Sequence, residues 1–442
     1  MNQILTLRLI VVLIGNTLLR IAMSSSGAVI AFYLAARGGQ GAPEAGVVGG
    51  GHGGGAGIVG ALGVVLNLAE LIGALPVGVA TDRFSARIVL VGGSILGGIA
   101  TLMFGLSQEI AIFFFARGIQ GVVAVIGGPP LLSLITEATR DLPTLRNRII
   151  GFYELSLLSG LALGALVGGS LWANWGTHAF SVLSAFYIVI AALFWWGANI
   201  PGQMRAEQPM EALRHALSNP FMLKLAPAWL ALNAVIGLWL TNVTFQLSSE
   251  SNPIVGQVLV ARFTPQVIGL ILLVFTILFA TGIIIWTFQM GRISRVDTMK
   301  YSIYGLIATC FGLLVLNINP WPLAIEWVIV AIVSLAIMVG SGFTPAALAY
   351  LASLADANGE GRGSTMGIYT LLLGLGGALG AGIGGWLASS FAFNGLIIGS
   401  LVFLALALFE VFRLPEDLVP TAKTNQSQSG ASAPSAPSAG NH

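Results

Sequence analysis

"GFYELSLLSGLALGALVGGSLWA" (Gly151–Ala173) and "GIYTLLLGLGGALGAGIGGWLA" (Gly367–Ala388) are two versions of one segment. At an offset of 367 − 151 = 216, twelve of the first twenty-one positions are identical, among them Gly160/Gly376, Gly164/Gly380, Ala165/Ala381, Gly168/Gly384 and Gly169/Gly385. Each version is apolar and helix-length, with glycine at every fourth position, a spacing that lines one helical face. Other anchors recur at nearly the same offset: Pro130 to Pro345 is 215, Arg146 to Arg362 is 216, and Gly78 to Gly291 is 213. The chain therefore reads as one unit written twice.

Composition sets the solvent in which that unit folds. Of 442 residues, 56% are hydrophobic and 8% charged, where an ordinary soluble domain carries about 25% charge. The bilayer must supply much of the solvent. Segments of about 20 apolar residues, enough to span a hydrocarbon core of about 30 Å, occur twelve times: roughly 7–35, 56–80, 86–107, 110–135, 148–173, 179–198, 222–246, 265–290, 300–317, 320–344, 363–389 and 392–413. A membrane barrel would need alternating strands of about ten residues, which these runs are not. The fold expected is an all-α membrane protein of twelve transmembrane helices.

The N-terminal stretch has Arg8 before "LIVVLIGNTLL", as a signal peptide would. Arg20 then interrupts the run, which continues to Ala36, too long for a cleaved segment; it reads as the first span. The single cysteine, Cys310, permits no internal disulfide. The net charge of +2 offers nothing to nucleic acid, and the scattered His52, His178, His215 and His442 form no metal-ligand pattern. No cofactor and no metal are expected, nor is an enzyme. With the N-terminus in the cytoplasm, fifteen Lys and Arg fall in cytoplasmic positions and two, Arg37 and Arg262, outside. This bias orients the chain with both termini inside, in the cell's inner (plasma) membrane.

Six spans per unit is an even number, so both copies enter the membrane with the same polarity, a parallel repeat about an axis along the membrane normal. The expected organisation is a six-helix bundle over 1–198, a polar cytoplasmic linker over 199–221, a second bundle over 222–413, and a disordered cytoplasmic tail over 414–442. Two such bundles facing one another enclose a central cavity that rocking can open to either side. "GGGHGGG" (Gly49–Gly55) lacks the Gly-Lys-Ser/Thr ending of a phosphate cradle and reads as a loop linker.

Three motifs carry a resemblance to the major facilitator superfamily, over about residues 7–413. After the second span, "GVATDRFSAR" supplies Gly78, Asp82, Arg83 and Arg87 at the family's loop spacing, with Ser85 in place of the second glycine. In the fourth span, "RGIQG" supplies Arg117, Gln120 and Gly121. In the fifth, Gly151, Gly160, Gly164, Gly168 and Gly169 resemble the motif of the drug/proton antiporter branch, with Gly164-Ala165 where that branch has Gly-Pro. The resemblance implies alternating access, with helices 5 and 11 at the interface between halves. There the glycines, with Gly376, Gly380, Gly384 and Gly385, are expected to seal the halves together; ordinary small-residue packing within one half is the other reading. It also implies a cytoplasmic latch in which Asp82 faces the start of helix 11 while Arg83 and Arg87 reach Glu137 or Asp141, against the plainer reading of a basic inner loop.

Charges inside a membrane cost about 2.5–3.5 kcal/mol each at mid-depth on insertion scales. Arg20 and Glu70 lie roughly 20 Å and 18 Å from the cytoplasmic ends of their helices at 1.5 Å per residue, so they share a depth. Glu70, Arg20, Arg117 and Glu154 are the candidates for proton coupling; a static Arg20–Glu70 salt bridge is the alternative for that pair. The resemblance places helices 1, 4, 7 and 10 around the cavity, which makes Asn16, Arg20, Ser24, Arg117, Gln120, Asn233, Trp239, Asn242 and Trp327 candidates to line it. That mostly apolar and aromatic set suits a lipophilic or amphiphilic small molecule. The reading is proton-coupled efflux by a monomer whose partners are that substrate, protons and the lipid bilayer. A uniporter or importer of a metabolite or lipid, and a non-transporting sensor or assembly partner, are the alternatives.

Overall fold

The computed structural model describes residues 3–38, 54–139, 143–199, 220–289, 292–358 and 362–415. A few side chains inside these helices, Asp82 and Glu154 among them, lie outside the description. The described residues are helical almost throughout, as a chain in lipid must be, since only helices satisfy every backbone polar group within one segment. The helices are α1 (Gln3–Gly38), α2 (Gly54–Arg83), α3 (Ala86–Leu106), α4 (Ile110–Ile126), α5 (Pro129–Ala138), α6 (Pro143–Trp175), α7 (Ala179–Gly197), α8 (Pro220–Leu247), α9 (Pro265–Gln289), α10 (Arg295–Ile318), α11 (Leu323–Gly340), α12 (Phe343–Asn358) and α13 (Arg362–Phe412).

Among the described residues, ten stretches are long and apolar enough to cross a membrane. Two of them turn back on themselves. Ser159–Gly197 contains the tight turn Gly176–His178 between α6 and α7. Leu371–Phe412 contains Ala392, at φ 49° and ψ −131°, beyond which a side chain at Gly395 or Gly399 would run into Leu387. Counting each of these as two crossings returns the twelve expected spans. Two spans are broken near mid-length: α4 and α5 part at Gly127–Gly128, ahead of Pro129, and α11 and α12 part at Ser341–Gly342. Proline has no N–H to lose in a helix's first turn, so the chain restarts there at no cost in hydrogen bonds.

The repeat is visible in which helices touch. Within α1–α7, α1 packs on α6, α2 on α4 and α3 on α7. Within α8–α13, α8 packs on α13, α9 on α11 and α10 on α13. These are the same partnerships after the offset is applied. The largest contacts between the halves, α2 with α13 and α6 with α9, also map onto each other, and α8 touches α1 and α2 as well.

Two contacts identify the ends of the bundle. The Arg8 guanidinium donates to the Asn199 carbonyl, so α1 starts where α7 finishes; this is the terminal end. Tyr33 lies edge-on to Trp172 at 6.3 Å, so α1 finishes beside the end of α6; this is the distal end. The halves approach closely toward the distal end. A Cβ at Gly60 would fall 2.6 Å from the Ala381 carbonyl oxygen, and one at Gly269 would fall 2.8 Å from that of Ala165. Ala165 and Ala381 are the same position of the repeat, so each half grips the other with an equivalent glycine. Lipid provides no hydrophobic drive between helices, and such close backbone approach supplies dispersion contacts in its place.

Candidate functional site

One group of polar residues in the first half gathers where α1 packs on α6, beside the break between α4 and α5. Asn16 is fully buried and donates from Nδ2 to Ser156 Oγ at 2.6 Å; Ser156 in turn donates to the Tyr153 carbonyl at 2.6 Å. The break at Gly127 makes room for this head group. A Cβ there would lie 2.7 Å from Asn16 Oδ1 and 3.1 Å from an Arg20 guanidinium nitrogen. Asn16 Oδ1 and Arg20 Nε accept and donate no hydrogen bond. Glu70 on α2 is half-buried and feels the Arg20 charge through space. The two do not form an ion pair, so the salt bridge that sequence allowed for is not made.

About two turns further toward the distal end, Arg117 on α4 donates to Gln120 Oε1 at 2.7 Å. The Gln120 amide then donates to Ser26 Oγ at 2.9 Å and Thr101 Oγ1 at 3.0 Å. A single fully buried amide thus ties α4 to α1 and α3 while holding the arginine. Arg117 also sits beside Gly27, whose missing side chain leaves 3.3 Å to a guanidinium nitrogen, and acts electrostatically on buried Tyr187 of α7. Tyr187, Thr101, Ser26 and Ser156 are members of this cluster that sequence reading missed. Isolated hydroxyls on apolar helices gave no pattern by which to find them.

The other cavity candidates are placed elsewhere. Ser24 lies against Gly164 of α6. In the second half, Asn233 donates back to the Trp229 carbonyl at 2.8 Å beneath Gly376. Asn242 donates to the Leu238 carbonyl at 3.0 Å and the Ala381 carbonyl at 3.4 Å. Both amides serve the α8–α13 contact. The Trp239 indole donates to Ser400 Oγ at 2.7 Å and sits edge-on to Phe393 at 5.4 Å, so it faces the second arm of α13 rather than the gap between halves. Trp327 is 65% exposed at the start of α11, where an apolar ring belongs at the lipid boundary.

The glycine faces are also corrected by the structure. Gly160, Gly164 and Gly168 abut Arg20, Ser24 and Ser25 of α1, and Gly376, Gly380 and Gly384 abut Asn233, Ala234 and Asn242 of α8. Six of the expected interface glycines therefore close helix pairs inside a half. The seventh and eighth do bridge halves: Gly169 meets the Pro265 carbonyl of α9, and Gly385 meets Gly60 of α2. The surroundings of Gly151 lie outside the described residues. The reason is geometric. Positions 168 and 169 are 100° apart on a helix, so adjacent glycines serve different neighbours.

Of the latch residues, Gly78 has open space around it and Arg83 is exposed. Arg87 stacks over the Trp195 ring of α7 at 3.7 Å, where it was expected to reach Glu137 or Asp141. A guanidinium held over an indole at a helix end gains cation–π attraction without desolvating a carboxylate. Glu137 is engaged with another group. Asp141 and the side chains of Asp82 and Glu154 lie outside the described residues.

A further cross-half contact was not foreseen. The Trp172 indole, in the last turn of α6, donates to both Glu250 carboxylate oxygens, at 3.0 and 2.8 Å. Glu250 follows α8, in the connection to α9. Burial raises its carboxyl pKa above the ordinary value, and the indole hydrogen bond pulls it partly back.

The comparisons with known proteins agree with this architecture. The chain matches the sequence model of the Major Facilitator Superfamily over residues 12–260 and 238–439. It is 26% identical over 324 residues to Multidrug resistance protein MdtH of Salmonella typhimurium strain LT2, covering 70% of this chain and 72% of that protein. A bacterial homologue of the human lysosomal transporter Spinster, in an inward-facing and unoccupied conformation, superposes with a TM-score of 0.64 at 16% identity, covering 94% of this chain and 95% of the other. The nucleoside transporter NupG superposes with a TM-score of 0.64 at 16% identity, covering 90% and 98%. Both show the same fold. With its twelve crossings, its repeat-related contacts and a family match along most of its length, the chain belongs to the Major Facilitator Superfamily and is a multi-pass membrane transporter rather than an enzyme.

Proposed function

We propose that this transporter is a proton-coupled efflux carrier for lipophilic or amphiphilic small molecules, with both termini in the cytoplasm of an inner-membrane orientation. In that orientation the closed distal end faces outside. The observation that carries the reading is the set of charges inside the first half. Arg20, Glu70 and Arg117 are only half-buried, and among the described residues none of them is neutralised by a salt bridge. A membrane protein retains such charges where they work, on ion or substrate paths. Glu70 senses Arg20 without binding it, so a small rearrangement of α1 against α2 changes how strongly its carboxyl holds a proton. One proton crossing with the membrane potential supplies about 2.3 kcal/mol per 100 mV. The similarity to a protein named for multidrug resistance supports the substrate class.

The test is dye movement in proteoliposomes holding the purified protein. An imposed pH gradient should drive a fluorescent amphiphilic dye against its concentration gradient. Flux that ignores the pH gradient would favour the uniporter or importer of a metabolite or lipid.

A further inference from the structure

Among the described residues, a hydrogen-bonded pair at the distal end joins side chains from the two halves. Trp172 is 8% exposed and held edge-on by Tyr33 of α1. Glu250 is presented by an ordered turn: its N–H is held by Ser248 Oγ at 3.3 Å, Ser249 N–H donates to the Phe263 carbonyl at 2.8 Å, and Ser251 Oγ donates to the Ser248 carbonyl at 2.7 Å. Opening this end means parting α6 from α9 and from the turn after α8. The Trp172–Glu250 pair must then break, and the carboxyl passes into water.

We propose that Glu250 is a proton-binding site of the outer gate, taking up a proton from the outside compartment as the gate closes over it. The side from which the proton comes rests on the orientation adopted in the proposed function. Geometry makes the site dependent on conformation, because the same movement that seats the half-buried carboxyl against Trp172 takes away part of its water. Among the described residues no other charge offsets this. Arg37 donates to the Tyr33 hydroxyl at 2.9 Å and to the Gln108 carbonyl at 2.7 Å; Arg262 pairs with Glu326 at 2.9 Å; His178 is exposed in the turn after α6. Desolvation and the indole are what act on Glu250.

The sign follows from linkage. Burial raises the carboxyl pKa in the closed state, while the open, hydrated state keeps the ordinary value. The closed state therefore binds the proton more tightly. Its stabilisation is complete below the open-state pKa and is lost as pH rises through the closed-state value. Acid outside closes the gate, which is the return step an efflux cycle needs after substrate has left.

The experiment uses the full chain in lipid without substrate. Spin labels are attached through Thr177→Cys and Val255→Cys in a Cys310→Ser background; both positions are exposed, one at the distal end of each half. The wild-type pair should gain the short-distance population as pH falls, with the closed-to-open ratio changing by at most about tenfold per pH unit. Glu250→Gln should stay closed and lose the response. Trp172→Phe removes a hydrogen bond that favours the ionised form, so its response should move to higher pH. A wild type insensitive to pH, a Glu250→Gln protein that responds like wild type, or one that stays open at every pH each overturns the proposal. Failure of the transport reading shows separately, as absent pH-driven dye flux while the distance response persists.

Discussion

Gly60 of α2 and Gly385 of α13 sit back to back across the two halves: a Cβ on either would fall 2.6 or 2.7 Å from the α-carbon of the other. Backbone cannot yield as a flexible side chain can, so a methyl group here must push the halves apart. Gly60→Ala should therefore lower the distal-closed population by about 1–3 kcal/mol, the usual cost of overpacking, without a matching loss in the open state. Distances between labels at Thr177 and Val255 would report it. Gly164→Ala is the contrast, because Gly164 packs on Ser24 within one half; it should lower thermal stability and leave the conformational ratio alone. If both variants behave alike, the assignment of one glycine to the gate and the other to the bundle is wrong.

Glu70→Gln keeps the shape of the side chain and removes its ability to release a proton. Arg20 and Glu70 are not paired, so folding should tolerate the change, with melting displaced by no more than a few degrees. Dye flux driven by the pH gradient should vanish, while exchange in its absence continues. Retained gradient-driven flux would remove Glu70 from the coupling path.

Gln120 is the amide on which three helices converge. Gln120→Leu leaves the Arg117 guanidinium, Ser26 and Thr101 without their partner. Each buried polar group so stranded costs about 1–3 kcal/mol, so the melting temperature should fall clearly, and by more than in Glu70→Gln. A melt unchanged from wild type would show that water takes over these bonds and that the site is wetter than its burial suggests.

Trp239 donates to Ser400 inside the second half. Trp239→Phe should cost about 0.5–1.5 kcal/mol of stability for one hydrogen bond and leave the apparent KM for a transported dye unchanged. A several-fold rise in KM at constant stability would return Trp239 to the substrate path.

The glycine pattern shows both the reach and the limit of the sequence. Twin segments at an offset of 216 predicted two like-oriented bundles, and Gly60 on Ala381 with Gly269 on Ala165 is that repeat expressed as contact. Which glycines seal and which merely pack was read the wrong way for six of the eight that can be placed. Helices α6 and α13 are apolar nearly all round, and a helix without a polar face carries no mark of which side meets which neighbour. The charged residues are easier to single out, because a charge in an apolar run is conspicuous, as Arg20, Glu70 and Arg117 are. The hydroxyls gathered near them, Tyr187, Thr101 and Ser156, are not, since each is isolated in an apolar helix.

What the chain itself determined is therefore its class, its number of crossings and its two-fold repetition. A hydrocarbon layer of roughly 30 Å imposes a length and a composition on every segment that enters it, and those can be read residue by residue. What only the tertiary structure decided is the side on which each residue does its work. Trp172 and Glu250 are 78 positions apart and meet only because α6 and the turn after α8 finish at the same end of the two bundles. No local periodicity encodes such a meeting, since it is a property of how the halves dock.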